Sequence, residues 1–263
     1  MPPAGAAFGE QKPKEGLLPD HFSGVADGYA AYRPEYPAVL VDLLTELAPA
    51  RDLAWDAGCG SGQLSVGLAQ RFAQVIATDV SPEQLANASR HPQVEYRRAS
   101  AEASGIPHGT VDLAVAAQAA HWFDLPAYYA EVRRVGRPGA LLALVTYGLI
   151  RVGREVDAVT DRFYSGVLGP YWPPERRHVE SGYRALPFPF LELAAPALEM
   201  RAHWTLSHML GYVGTWSALR GLEREGGGAL LEQFSRDLGH VWGAPEAHRP
   251  VRWDLAVRLG RLP

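Results

Sequence analysis

The sequence predicts an α/β fold: a mostly parallel seven-stranded sheet with helices on both faces and a lid insertion in the C-terminal half. Three observations carry this. Short apolar runs alternate with helix-period stretches from Pro37 to Thr146, the grammar of strands joined by helical crossovers. Two of those runs end in an acid, Asp56 and Asp79, and the first passes directly into the turn Gly58-Cys59-Gly60-Ser61-Gly62. After Gly148 the alternation gives way to an aromatic and proline-rich stretch, and two more strand patterns follow it.

The bulk numbers narrow the field. With 263 residues, 47% of them hydrophobic, the chain can bury one sizeable core and a smaller appended layer. A formal charge of -4 argues against broad contact with phosphate backbones, so no nucleic-acid partner is expected. Cys59 is the one cysteine, which excludes an intrachain disulfide and a cysteine cluster for metal, and fits a reducing, cytoplasmic compartment. No metal is expected. The apolar stretch from Ala140 to Ile150 is shorter than the ~18 residues of a membrane span, and Met1 to Leu18 lacks a signal-peptide core. Residues 1–20 read as a flexible tail.

In chain order, Val39, Leu40, Leu43, Leu44 and Leu47 form an amphipathic helix that Pro49 closes. Leu53 to Trp55 is a strand, and Leu64, Val66, Leu68 and Ala69 mark the helix after the glycine turn. Gln74 to Thr78 is the second strand, with Ser81 as N-cap, Pro82 at the first helical position and Gln84 reaching back to complete a capping box. Val94 to Arg97, Val111 to Ala116 and Leu141 to Thr146 are three further strands, with a helix over Leu125 to Val135. Leu198 to Trp204 and Val251 to Leu259 complete the sheet, around helices over Ser207 to Leu219 and Ala229 to Trp242.

The glycine turn is the strongest chemical signal. Glycines there allow positive φ and close approach of backbone to a ligand. The dinucleotide spacing G-x-G-x-x-G fails, because Gln63 and Ser65 stand where its last glycine belongs. Asp56 suits an ammonium group better than a pyrophosphate. Asp79, ending the next strand, can accept both hydroxyls of a ribose. The ligand indicated is a cationic amino-acid nucleoside; an ordinary tight turn and an exposed acid are the plain alternatives.

Asp56 to Gly62, Thr78-Asp79-Val80-Ser81, Ala101-Glu102, Asp112 to Val115 and Arg137-Pro138-Gly139 resemble the ordered motifs of class I S-adenosylmethionine-dependent methyltransferases, specifically the type 11 group. Outside this core, Tyr29 to Pro37, Gln118 to Asp124, Gly169 to Arg176 and Gly211 to Ala218 look like the subgroup of trans-aconitate methyltransferase-like and embryo-abundant-like proteins. The resemblance implies a Rossmann-like core over 21–148 that binds S-adenosylmethionine, a lid over 149–197 and sheet-completing elements over 198–263. It implies that Asp56, Gly58, Gly60 and Gly62 hold the methionine moiety. Asp79 and Val80 would take the ribose, Ser100 and Ala101 the adenine surroundings, and Gln118 the methionine end. Many relatives carry Asp where this chain has Ser100, so the adenine amino group would rely on the Ser100 hydroxyl or Glu102.

Arg33 is a fork-shaped donor suited to the donor's carboxylate, against a surface arginine stacked on Tyr32 or Tyr36. His121 and Trp122 follow the fourth strand at the sheet's carboxyl edge, where His121 can orient an acceptor or take its proton; a packed core histidine is the plain alternative. Tyr171, Trp172 and Arg176 are candidate acceptor contacts in the lid, against a second small core with a solvated basic turn. The function expected is direct in-line methyl transfer to a small molecule, with the lid arginines leaning towards a carboxylic acid. The other readings are a non-catalytic binding protein on the same fold and a nicotinamide-dependent oxidoreductase, which Gln63 disfavours. Oligomeric state has no signature in the sequence.

Overall fold

The computed structural model describes residues 32–263; the tail expected over 1–20 and the first residues of the core lie outside the described residues. In chain order the elements are α1 (Ala38–Leu47), β1 (Leu53–Ala57), α2 (Gln63–Ala69), β2 (Gln74–Asp79), α3 (Pro82–Ala86), β3 (Val94–Arg98) and β4 (Val111–Ala117). There follow α4 (Leu125–Val135), β5 (Gly136–Tyr147), α5 (Arg154–Asp161), α6 (Arg176–Glu180), β6 (Leu191–Leu193) and β7 (Leu198–Trp204). The chain continues through α7 (Leu206–Gly214), α8 (Leu219–Arg224), α9 (Gly228–Trp242) and β8 (Arg249–Arg261).

The strands form one sheet in the order β3-β2-β1-β4-β5-β8-β6, parallel through β5, with β8 antiparallel to β5. β6 pairs with Leu259–Arg261 and β7 with Arg249–Leu255, so both lie end to end along one edge of β8. Eight strands therefore occupy the seven lanes expected. Leu191–Leu193, which the sequence places in the insertion, is part of the sheet.

The period-two side-chain alternation of the strands divides the interior into two cores. Leu113, Val115, Leu141, Ala143 and Val145 face α1, α2, α7 and α9, whereas Ala114, Ala116, Leu142 and Leu144 face α4 and α6. Asp112 fastens the edge of the sheet opposite the glycine turn. Its Oδ2 accepts from Asp52 N and Leu53 N at 2.9 Å each, and its Oδ1 pairs with Arg137 at 2.9 Å. Two charge-assisted hydrogen bonds at about 1.5–3 kcal/mol each, with the Arg137 ion pair beside them, offset the several kcal/mol needed to bury this carboxylate. The Asp112 and Arg137 motifs are thus a strand staple, remote from the site.

Helix α7 stops at Gly214, short of the expected Leu219, because Thr215 turns its hydroxyl back onto the Tyr212 carbonyl at 2.7 Å and the chain restarts as α8. α5 lies after Gly148, where the sequence reading named no element, and a single π-helical turn over Arg162–Val167 follows it.

Candidate functional site

Parallel strands put the ends of β1, β2 and β4 on one edge, and the order reverses between β1 and β4, the place where open α/β sheets take ligands. The β1 turn is drawn across β2: Gly58 N and Cys59 N both donate to the Thr78 carbonyl, at 2.8 and 3.0 Å. Gly58, Gly60 and Gly62 have φ of +67°, +56° and +82°, the left-handed region that favours glycine. At Gly58 a Cβ would stand 2.6 Å from Ala119 Cβ, and at Gly62 it would fall on the Tyr96 ring. The turn is glycine for backbone conformation and for contact with its neighbours.

Asp79 latches this turn. Its Oδ2 accepts from Gly60 N and its Oδ1 from Ser81 N, both at 2.8 Å. This corrects the capping box: Ser81 Oγ accepts from Gln84 N at 3.2 Å, but Asp79, not the Gln84 side chain, takes the Ser81 N–H. Gln84 instead borders the cavity.

That cavity, about 330 Å³, is lined by Arg33, Asp56, Gly58, Gly60, Asp79, Val80, Ala101, Gln118 and Trp122 among the residues expected from sequence. Gly62 lies behind the turn. Ser100 does not line it: alternation of the backbone turns Ala99 and Ala101 inward, and Ser100 pairs with Ala103 in an isolated bridge. Glu102 accepts from Asp124 N at 3.0 Å and so holds the loop after β4. Trp122, 57% exposed, is a flap at the mouth. The sequence reading gave no cavity role to Gln84 and Tyr147. Tyr147 ends β5 on the ligand edge, and that position was the available signal.

Asp56 is 1% exposed; its Oδ2 accepts from Ser65 Oγ at 2.6 Å, and its Oδ1 has no hydrogen-bond partner. Burial, and secondarily Asp79, push its carboxyl up to about 6 against the pull of Ser65. The burial cost is therefore full above about pH 6 and relieved as pH falls towards 4. An ammonium at Oδ1 would favour the carboxylate form, reversing that trend for binding. The affinity for S-adenosylhomocysteine, an ammonium ligand of this kind, should be flat above about pH 6 and weaken by up to tenfold per unit below it. Calorimetry across pH 5–8 reads this, and proton release on binding at pH 6 accompanies it; a pH-independent affinity sinks the role for Asp56.

Gln118 has φ +56°, rare for a residue with a side chain, and is held there by Nε2 donating to the Tyr147 carbonyl (2.9 Å) and Thr146 Oγ1 donating to Oε1 (2.6 Å). Arg33 donates to the Thr215 carbonyl at 3.3 Å and lies over the Tyr212 ring, which ties the entrance segment to α7.

The lid residues occupy a neighbouring cluster, outside the cavity lining. Trp172 donates to the Tyr164 carbonyl at 3.0 Å and tilts against Tyr164 and Trp216. Arg176 spans the Trp172 and Tyr164 rings and donates to the Tyr164 hydroxyl at 2.7 Å. Tyr171 points elsewhere, its hydroxyl donating to Glu225 at 2.7 Å and its ring packing on Gly221. His121 Nδ1 lies 2.8 Å from the Tyr183 hydroxyl, and burial, then Arg176 and His178, push its pKa down to about 4.

A parallel sheet with a reversed penultimate lane, and a glycine turn latched by a strand-end aspartate, define a class of nucleoside-binding transferase. Residues 55–144 match the family described as methyltransferase domain. The chain is 34% identical over 223 residues to a Dictyostelium discoideum protein named as a methyltransferase, covering 83% of this chain and 85% of that one. It is 33% identical to an uncharacterized methyltransferase of Mycobacterium tuberculosis, covering 66% of this chain and 75% of that one. A solved structure from Anaeromyxobacter dehalogenans, described as a type II methyltransferase, superposes with a TM-score of 0.82 at 54% identity, covering 88% of this chain and 99% of that one. The chain belongs to the methyltransferase family, as an S-adenosylmethionine-dependent enzyme of the class I, Rossmann-like fold. No helix among the described residues is long and apolar enough to cross a membrane.

Proposed function

We propose that this methyltransferase acts on a small molecule, with a carboxylic acid as acceptor, and that the cavity bounded by Asp56, the glycine turn and Asp79 is its donor site. S-adenosylmethionine supplies an already activated methyl group, so no protein nucleophile is consumed. The cavity fits that donor in three respects. Asp56 offers a buried oxygen with no partner, Asp79 a carboxylate with lone pairs left after its two backbone bonds, and Gly60 a backbone edge with open space before it. In this reading Arg33 meets the donor's carboxylate, Val80 and Ala101 flank the nucleoside, and Gln118 stands at the reacting end.

The observation that carries the acceptor class is the Arg176 guanidinium of the neighbouring cluster. His178 and the neutral His121 stand near it, and among the described residues no carboxylate stands within ion-pair distance of Arg176. A carboxylate acceptor is nucleophilic without a base and gains most from alignment in a dry pocket. The lid, with Trp172 and Arg176, supplies both; Tyr171 supports the lid from outside. A cytoplasmic location belongs to the same reading, supported by the single cysteine.

The test has two arms. S-adenosylhomocysteine should bind the wild type, and Asp79→Ala should weaken it by roughly 100-fold, two lost charge-assisted bonds at about 1.5 kcal/mol each. Methyl transfer from labelled donor is then measured over panels of carboxylic acids, phenols and amines. Turnover confined to phenols or amines sinks the carboxylic-acid reading, and binding without turnover on any panel favours a non-catalytic role.

A further inference from the structure

The pair His121 and Tyr183 lies between the loop after β4 and the segment after α6, and its geometry fixes where a proton sits. Tyr183 is fully buried, and its hydroxyl lies 2.8 Å from His121 Nδ1 with the rings tilted 39°. It is held from several sides. Its N–H donates to the His178 carbonyl at 2.8 Å, and its own carbonyl accepts from Arg258 Nη1 at 3.0 Å. Its backbone sits at φ +60°, a conformation a tyrosine keeps only when its surroundings impose it.

A phenol has one hydrogen, and a buried hydroxyl needs an acceptor for it. The neighbouring hydroxyl, Thr146, sends its own hydrogen to Gln118 Oε1 and keeps lone pairs near the Tyr183 hydroxyl, but in poorer geometry than Nδ1 offers. The acceptor at hydrogen-bond distance from Tyr183 is the Nδ1 lone pair. Were Nδ1 to carry the imidazole proton, the phenol hydrogen would have to leave the 2.8 Å contact for the poorer geometry offered by Thr146 Oγ1 or for the apolar cluster that holds Val179 and Leu186. Burial and the nearby Arg176 and His178 keep the ring neutral at ordinary pH, so it carries one proton, and its place is a choice between two nitrogens.

We propose that Tyr183 donates to His121 Nδ1 and thereby fixes His121 as the Nε2–H tautomer, a neutral hydrogen-bond donor to an oxygen of the methyl acceptor and not its general base. This rests on the reading that the acceptor binds beside His121. Nε2 has no hydrogen-bond partner among the described residues, and Trp122, the next residue, flanks the mouth of the donor cavity. Tyr183 is then a positioning residue that acts through the imidazole. A donor here holds one acceptor oxygen so that the other lies in line with the transferring methyl.

The tautomer is read directly by long-range proton–nitrogen correlation on uniformly nitrogen-labelled protein saturated with S-adenosylhomocysteine at neutral pH. The expected pattern is an unprotonated Nδ1 and a protonated Nε2 for His121, assigned with His121→Gln. Tyr183→Phe should convert it to a mixture of tautomers. A protonated Nδ1 in the wild type overturns the proposal, whether or not Tyr183→Phe folds. Activity then uses the carboxylic acid that turns over fastest in the panel above. His121→Gln, whose amide nitrogen reaches the place of Nε2, should stay within about tenfold of wild type, while His121→Ala loses about 100-fold in kcat/KM. Equal losses in the two variants overturn the donor role. Absence of turnover by the wild type counts against the acceptor class alone and leaves the tautomer measurement to decide, so the two readings fail separately.

Discussion

Replacing Gly58 by valine is expected to abolish donor binding while leaving a folded protein. A Cβ at this position stands 2.6 Å from Ala119 Cβ and 3.0 Å from Phe123 Cζ. Phe123 can swing, but Ala119 Cβ is fixed to the backbone and buried, so the β1 turn must leave the loop after β4. The left-handed φ of +67° adds about 1–2 kcal/mol for an L side chain, and overpacking adds about 1–3. Relief comes by shifting the turn, which forfeits the Thr78 and Asp79 bonds that shape the cavity. The loss should be on the order of 100-fold or more in the Kd for S-adenosylhomocysteine. Gly109→Val is the control, since Gly109 has the same φ of +67° but open space around its Cβ. If both variants bind like wild type, the close approach of the two loops is not what forms the site.

The second large effect falls on the other half of the molecule. Arg258 of β8 donates to the Tyr183 and Leu186 carbonyls at 3.0 and 2.8 Å, pairs with Glu192 at 2.9 Å and covers the Phe188 ring at 4.4 Å. Glu192 is half exposed, so that ion pair is worth little. The two carbonyl bonds from a charged, largely buried donor are each worth about 1.5–3 kcal/mol. Arg258→Ala should therefore cost about 3–5 kcal/mol and lower Tm by roughly 10 °C. The carbonyl it releases is that of Tyr183, so methyl transfer should fall together with the stability, while S-adenosylhomocysteine affinity stays within about threefold. Parallel melting curves and calorimetry check this. Loss of donor affinity equal to the loss of activity would show that the two halves are not separable.

Where local chemistry decides, the sequence reading and the structure agree closely. Strands β1, β2, β4 and β5 are largely apolar runs buried on both faces, and the acids ending β1 and β2 fall on the ligand edge because parallel strands share one direction. The helix over Leu125–Val135 carries its own N-cap, Asp124, accepting from Ala127 N, and is legible to the residue. The misses have particular causes. α5 starts from Gly153 with no capping side chain, and its buried Val156, Val159 and Thr160 stand at helical spacing that the sequence reading passed over. β6 has three residues, and it is a strand because β8 is long enough to offer it an edge. Asp79 outcompeted Gln84 for the Ser81 N–H because a carboxylate already fixed at a strand end is the shorter and stronger acceptor. Ser100 was chosen by correspondence with a family position, whereas its neighbours Ala99 and Ala101 face the cavity through backbone alternation. Which side chains meet across the lid, Arg176 with Tyr164 and His121 with Tyr183, depends on contacts between distant segments that no local pattern encodes.

The place of β8 also constrains how the molecule is made. It lies between β5 on one side and β6 and β7 on the other, yet it is synthesised after all three. Until it emerges, the β5 edge stands open beside a lid whose Tyr183 carbonyl has no Arg258 to hold it. An exposed edge of this kind pairs readily with foreign strands. The nascent chain therefore passes through a stage in which the donor loops are complete while the acceptor half is unlocked, and that stage is where misassembly should concentrate.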